Sequence, residues 1–423
     1  MSTDALTALA AQGRVLGTAG IASVCSAHEM VIEAALLQAA EDGGPALIEA
    51  TCNQVNQDGG YTGMTPAGFR DFVHGIADRV GVPRRQVILG GDHLGPNPWK
   101  HLPAGDAMAR AEKMVAAYAG AGFEKLHLDC SMGCAGEPAS PGDAMAAGRA
   151  ARLAARAEAA ASARPVYVIG TEVPTPGGAI GTLDHLEPTR PEAALATHAV
   201  HEAAFRSTAG EAWQRVIALV VQPGVEFGHE DVAVYAPGPA RALAATLNRM
   251  PGLVFEAHST DYQPEAALRQ LTQDGFRILK VGPGLTFALR EALYGLDAIA
   301  AVLRPGTASV PAAMERLMLA QPRDWQSHYP GTPDEQRRLR HHSYSDRIRY
   351  YWPLRPARDA VDGLLAVLHG VCIPETLVRQ HLPQLHGRVM AEELPSDART
   401  LLIEAVRDVL RTYSRACRGV ASL

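Results

Sequence analysis

Val87-Ile-Leu-Gly-Gly-Asp-His-Leu-Gly-Pro-Asn-Pro-Trp99 begins as a short apolar run and stops at Gly-Gly-Asp-His, an acid beside an imidazole, before breaking up in Gly and Pro. Such a run between breakers reads as a buried strand. One strand that ends in Asp-His decides nothing, but a series of strands with polar ends does. Seven further runs have the same character: Thr18–Val24, Ala46–Thr51, Lys125–Asp129, Pro165–Thr171, Val216–Val221, Leu253–Ala257 and Arg277–Val281. Between them lie Ala-rich segments of helical period, such as Glu29–Glu41 and Ala107–Tyr118. Eight strands alternating with helices predict an α/β fold, a (β/α)8 TIM barrel, over residues 1–295. The strand signal then disappears, and residues 296–423 read as a helical C-terminal extension packed on the barrel. Its Arg-rich stretches, Gln336–His342 and Ser345–Trp352, read as a solvated face or a subunit interface.

The chain has 423 residues, 47% hydrophobic and 20% charged, with a net charge of −6 and no dense basic run. That balance disfavours nucleic acid or an anionic membrane as a partner and favours a small molecule. Six scattered cysteines form neither a zinc ribbon nor a disulfide framework, although Cys130-x3-Cys134 has spacing that a metal could use. No signal peptide and no apolar run of membrane-spanning length is evident, so a cytoplasmic protein is expected.

In a barrel the chemistry gathers where strands end. The ends here are Cys25–His28, Cys52–Gln54, Asp92-His93, Asp129–Ser131, Glu172, Gln222–His229, His258–Asp261 and Gly282–Thr286. A single histidine among these is more often structural than a ligand. Three of them, His93, His229 and His258, with the Glu172 carboxylate, share one rim in a closed barrel and make a Zn²⁺-type donor set. Lys280-Val-Gly-Pro-Gly-Leu-Thr-Phe-Ala-Leu-Arg290 puts free glycine N–H groups against a helix start, a phosphate seat in many barrels and an ordinary turn in others. The first strand is not followed by Gly-x-Gly-x-x-Gly, so no nicotinamide cofactor is expected.

Longer phrases carry a resemblance: Ser23–His28, Asn53–Gln57 with Gly59–Pro66, Gly90–Pro96, Val168–Pro174, Val221–Phe227, Glu256–Gln263, Leu285–Ala292 and Ser345–Pro353. They resemble the Z-subunit family of class II tagatose-bisphosphate aldolases, which is similar in turn to class II fructose-bisphosphate aldolases. The resemblance implies a divalent metal, zinc first, with manganese or nickel as alternatives. It implies Asp92 as the proton-moving acid, His93, His229 and His258 as metal ligands, and Glu172 as a catalytic carboxylate near the metal. Ser259, Thr260, Lys280, Gly282, Gly284 and Thr286 are the expected substrate contacts. One departure stands out: Ser259-Thr-Asp-Tyr-Gln263 replaces the aldolases' Gly-rich phosphate loop.

Members of that family are described either as stabilising subunits of a separate aldolase or as metal-dependent 4-epimerases. In a 2-ketohexose the C4 hydrogen is β to the carbonyl and not acidic, so inversion without a redox cofactor runs through cleavage and re-formation of C3–C4. That needs a Lewis acid at C2 and a group that moves the C4–OH proton. The expectation is therefore a 4-epimerase of D-tagatose 6-phosphate and D-fructose 6-phosphate, the alternative being a non-catalytic aldolase subunit. Expected partners are the sugar phosphate, a class II aldolase subunit and further copies of the chain.

Overall fold

The computed structural model describes residues 2–12, 19–171, 183 and 186–419. Eight parallel strands close into one barrel: β1 Ile21–Cys25, β2 Ala46–Thr51, β3 Val87–Leu94, β4 Lys125–Asp129, β5 Val166–Gly170, β6 Val216–Val220, β7 Val254–Ala257 and β8 Phe276–Val281. Chain neighbours are sheet neighbours, and β8 closes on β1 through Ile21↔Ile278 and Val24↔Val281. Every residue of β3 to β8 is buried. Helices cover these strands outside and side chains fill them inside, which is why they read as near-continuous apolar runs.

The helix Ser2–Ala11 was not anticipated. Its Leu6, Leu9 and Ala10 join Leu47, Ile88, Val166, Ile217, Val254 and Ile278, residues near the starts of the strands, in one apolar cluster. The helix plugs the bottom of the barrel and leaves the other end for chemistry.

The helix after β8 runs past residue 295 to Leu303. Far along the chain, Ala398–Cys417 lies on the helices Glu29–Asp42, Glu265–Gln273 and Pro283–Leu303. Asp397 caps it by accepting the Thr400 N–H at 3.0 Å, and Leu401, Leu402, Val406 and Leu410 are buried in the core that also contains the barrel's outer layer. No helix among the described residues is long and apolar enough to cross a membrane.

β3 does not stop at Gly-Gly-Asp-His. It continues to Leu94, and its pairing with β4 slips between Gly91 and Leu94. His93 sits at φ 49°, a rare backbone state for a non-glycine residue. An irregularity of this kind re-aims side chains locally, and here it lies at the two residues with which the sequence reading began.

Candidate active site

Four charged side chains from four strands meet inside the barrel: Glu49 of β2, Lys125 of β4, Glu256 of β7 and Lys280 of β8. Lys125 Nζ lies 2.7 Å from Glu49 Oε1 and 2.7 Å from Glu256 Oε2. Lys280 Nζ contacts Glu49 and lies 3.0 Å from Asp92 Oδ1. Burial disfavours both ammonium charges, but the facing carboxylates outweigh it and raise both lysines above their ordinary range. Buried charges persist only when paired in this way.

Above this floor, Asp92 Oδ1 is 2.8 Å from His127 Nδ1, His258 Nε2 is 2.9 Å from Glu256 Oε1, and His93 Nδ1 is 2.8 Å from Asp129 Oδ2. Asp129 is itself fixed by the Ser131 N–H at 3.0 Å and its hydroxyl at 2.6 Å. The three imidazole rings pack edge to face or tilted, with centroids 4.9, 5.1 and 5.2 Å apart. One donor atom from each of Asp92, His127, Glu256 and His258 lies within 4.8 Å of the others, and Cys25, Glu49 and Asp92 form a second such group. Burial lowers His258 to about 4, so it is neutral. Burial opposes ionisation of Asp92, yet Lys280, His93 and His127 hold its carboxyl well below the usual range.

These residues fit a divalent cation on two counts. His127 Nε2 is buried and has no hydrogen-bond partner. Glu49, Asp92, Asp129 and Glu256 are four carboxylates set against the two ammonium groups of Lys125 and Lys280, an excess of negative charge that a bound cation would offset. The raised affinity of His93 for a proton, which Asp92 and Asp129 cause against burial, reflects the same excess. Nitrogen and oxygen donors suit zinc-like ions.

The predicted residues do not all arrive at this place. Asp92, His93, His258, Ser259, Lys280 and Gly282 line one cleft. His229 is in neither donor group. The chain leaves β6 at Val220 and forms a short antiparallel ribbon, Glu226–Phe227 with Val232–Ala233, before His229 can point inward. Its Nδ1 instead lies 3.2 Å from Ser343 Oγ, and its ring packs on Tyr329. Glu172 lies outside the described residues. Thr260 turns away from the cleft, donating to the Lys280 carbonyl at 2.6 Å and meeting Tyr413 Oη at 3.1 Å. Thr286 donates to Asp346 Oδ2 at 2.7 Å. The expected phosphate seat is already filled: Asp261 Oδ1 accepts the N–H groups of Gly282 and Gly284 at 2.9 and 2.7 Å.

Sequence reasoning missed His127, Glu49, Glu256 and Lys125. A signal existed, because Lys125, His127 and Asp129 alternate with Leu126 and Leu128 and so share one face of β4. The Arg-rich helix is solvated on one face, at Arg337 and Arg338, but not throughout. Arg340 and Arg347 are buried, Arg340 pairs with Glu315 at 2.8 Å through Nε, and Arg349 lines the cleft with Tyr61 and Tyr350.

The D-tagatose-1,6-bisphosphate aldolase subunit GatZ/KbaZ-like family matches residues 6–418. The chain belongs to this family. A relative from Agrobacterium fabrum (strain C58 / ATCC 33970), named D-tagatose 6-phosphate 4-epimerase, is 53% identical over 421 residues, 98% of each chain. A crystal structure from Sinorhizobium meliloti 1021, titled a probable tagatose 6 phosphate kinase, is 58% identical, with a TM-score of 0.89 over 94% of this chain and 100% of that one. Family membership relates the chain to D-tagatose-1,6-bisphosphate aldolase subunits, and its closed eight-stranded parallel barrel is a TIM barrel.

Proposed function

We propose that this chain is a metal-dependent 4-epimerase interconverting D-tagatose 6-phosphate and D-fructose 6-phosphate. The observation that carries the reading is the buried group of Asp92, His127, Glu256 and His258 beside one cleft, where carboxylates outnumber the lysines. The name of the A. fabrum relative supports the reaction, and both relatives' names include tagatose 6-phosphate.

His127, Glu256 and His258 would hold the ion, with His93 against their rings; His229 is left out of the set. When bound, the ion polarises the C2 carbonyl and stabilises negative charge on the enediolate. Asp92, held ionised beside Lys280, takes the C4 hydroxyl proton as C3–C4 breaks. The bonding electrons pass to C3, leaving a three-carbon enediolate and a phosphorylated three-carbon aldehyde. The aldehyde turns its other face, C3 re-adds to it, and Asp92 returns the proton to the new C4 oxygen. The walls of the cleft keep both fragments in place between the two steps. Glu172 is retained as a second candidate for the proton step.

The test is the purified chain alone with Zn²⁺, Mn²⁺ or Ni²⁺ and D-tagatose 6-phosphate, read for D-fructose 6-phosphate. Turnover that chelator removes and metal restores is expected. The second reading, a stabilising subunit of a class II aldolase, is favoured by the family's description. No turnover alone, together with a rise in a partner aldolase's activity on mixing, would replace the epimerase reading with it.

A further inference from the structure

The filled seat at Gly282 and Gly284 leaves a phosphorylated ketose without its expected anchor, and the same cleft offers another. Arg349 lines both the active-site cleft and the adjoining one that runs out past His28, Met64 and Trp352. Its guanidinium is fixed in place: one terminal nitrogen donates to the Ser345 carbonyl and, at 3.1 Å, to the Asp346 carbonyl, while the other lies 3.2 Å from Tyr350 Oη and the group stacks over the Tyr350 ring. Tyr61 packs edge-on against Tyr350 and completes an aromatic wall.

No carboxylate among the described residues pairs with Arg349. The two nearby acids are engaged elsewhere. Asp346 binds Arg290 Nε at 2.9 Å and the Thr286 hydroxyl, and Asp261 holds the two glycine N–H groups. A half-buried guanidinium, oriented by neutral groups and open to a cleft, is built to meet an anion that arrives from outside.

We propose that Arg349 binds the 6-phosphate of the ketose, so that the sugar lies with its carbonyl end at the imidazole cluster and its phosphate end at the Arg349–Tyr350–Tyr61 wall. This assigns a phosphate subsite to the cleft's outer side, and it rests on the proposed epimerase reading only for the name of the sugar. Discrimination between a phosphorylated ketose and its free counterpart then resides in one side chain of the C-terminal region.

The test is binding, which is independent of turnover. Calorimetry on the full chain compares D-tagatose 6-phosphate, D-tagatose and inorganic phosphate. In the parent, inorganic phosphate is expected to compete with the sugar phosphate. In Arg349→Met, the preference for the phosphorylated sugar is expected to fall roughly 50-fold or more. Arg349→Lys keeps a charge without the planar fork and is expected to fall in between, which covers a Met variant that does not fold. Arg358→Met probes the exposed arginine of the adjoining cleft. Should Arg358→Met lose the preference while Arg349→Met and Arg349→Lys keep it, or should phosphate not compete at all, the assignment is wrong. Binding that follows Arg349 in a chain without epimerase turnover would sink the reaction but leave the subsite.

Discussion

Asp92 and His93 are adjacent in sequence but face different partners, Asp92 meeting His127 and Lys280 and His93 meeting Asp129. His127→Ala and His258→Ala are expected to lose bound metal, read by elemental analysis of the purified chain. His229→Ala is expected to keep its metal; loss of metal there would return His229 to the ligand set. Asp92→Asn should retain metal while turnover falls about 10²–10⁴-fold, the range for a lost proton-transfer group. Asp261 gives a pH test. Burial raises its carboxyl to about 6, despite the N–H donors of Gly284 and Gly282. The folded state therefore holds a proton that the unfolded state releases nearer pH 4, and stability falls as pH rises through that window. Asp261→Asn keeps an acceptor oxygen for both glycines and removes the titration. It should unfold in urea at a similar midpoint at about pH 3.5, below both values, and gain about 1–3 kcal/mol over the parent at about pH 7.5. An equal difference at both pH values would exclude Asp261 as the cause.

β3 is the element on which the site turns. Its slip against β4 brings Gly95 so close to the neighbouring strand that a Cβ there would meet the Asp129 carbonyl oxygen at 1.7 Å. Backbone cannot yield as a side chain can, so Gly95→Ala is expected to cost about 3 kcal/mol or more and to disturb the carboxylate that orients His93. A melting temperature within about 2 °C of the parent would refute this. The strands were legible because apolar runs between breakers are a local signal. The end of β3 was not, since Gly90 and Gly91 look like a stop until β2 and β4 pair with them. His229 was placed on the rim because it follows β6 in sequence, and the ribbon that diverts it has only two residues per strand. Glu49, Lys125 and Glu256 were read as parts of strands; their charges meet only when the sheet closes.

At the scale of the molecule, the C-terminal region is a wall of the barrel as much as an appendage. The helix Ala398–Cys417 covers three helices of the outer layer, and its Tyr413 donates to the Thr260 carbonyl at 2.6 Å, two residues from His258. Ending the chain after Asp397 should therefore abolish soluble, cooperatively folding protein, measured by yield and thermal melt, although the eight strands are intact in sequence. A truncated chain that melts like the parent would show that the helix is dispensable. The donor group draws Asp92 and His127 from the first half of the chain and Glu256 and His258 from the second, and Arg349 comes from the C-terminal region, so the proposed site is assembled only when the whole chain has folded. Synthesis adds a constraint of timing. Tyr413 is made 153 residues after Thr260, so a ribosome can complete the loop beside His258 long before the hydroxyl that supports it exists. A chain still being made has the polar centre in sequence but lacks its outer brace, and the proposed chemistry would thereby be confined to finished molecules.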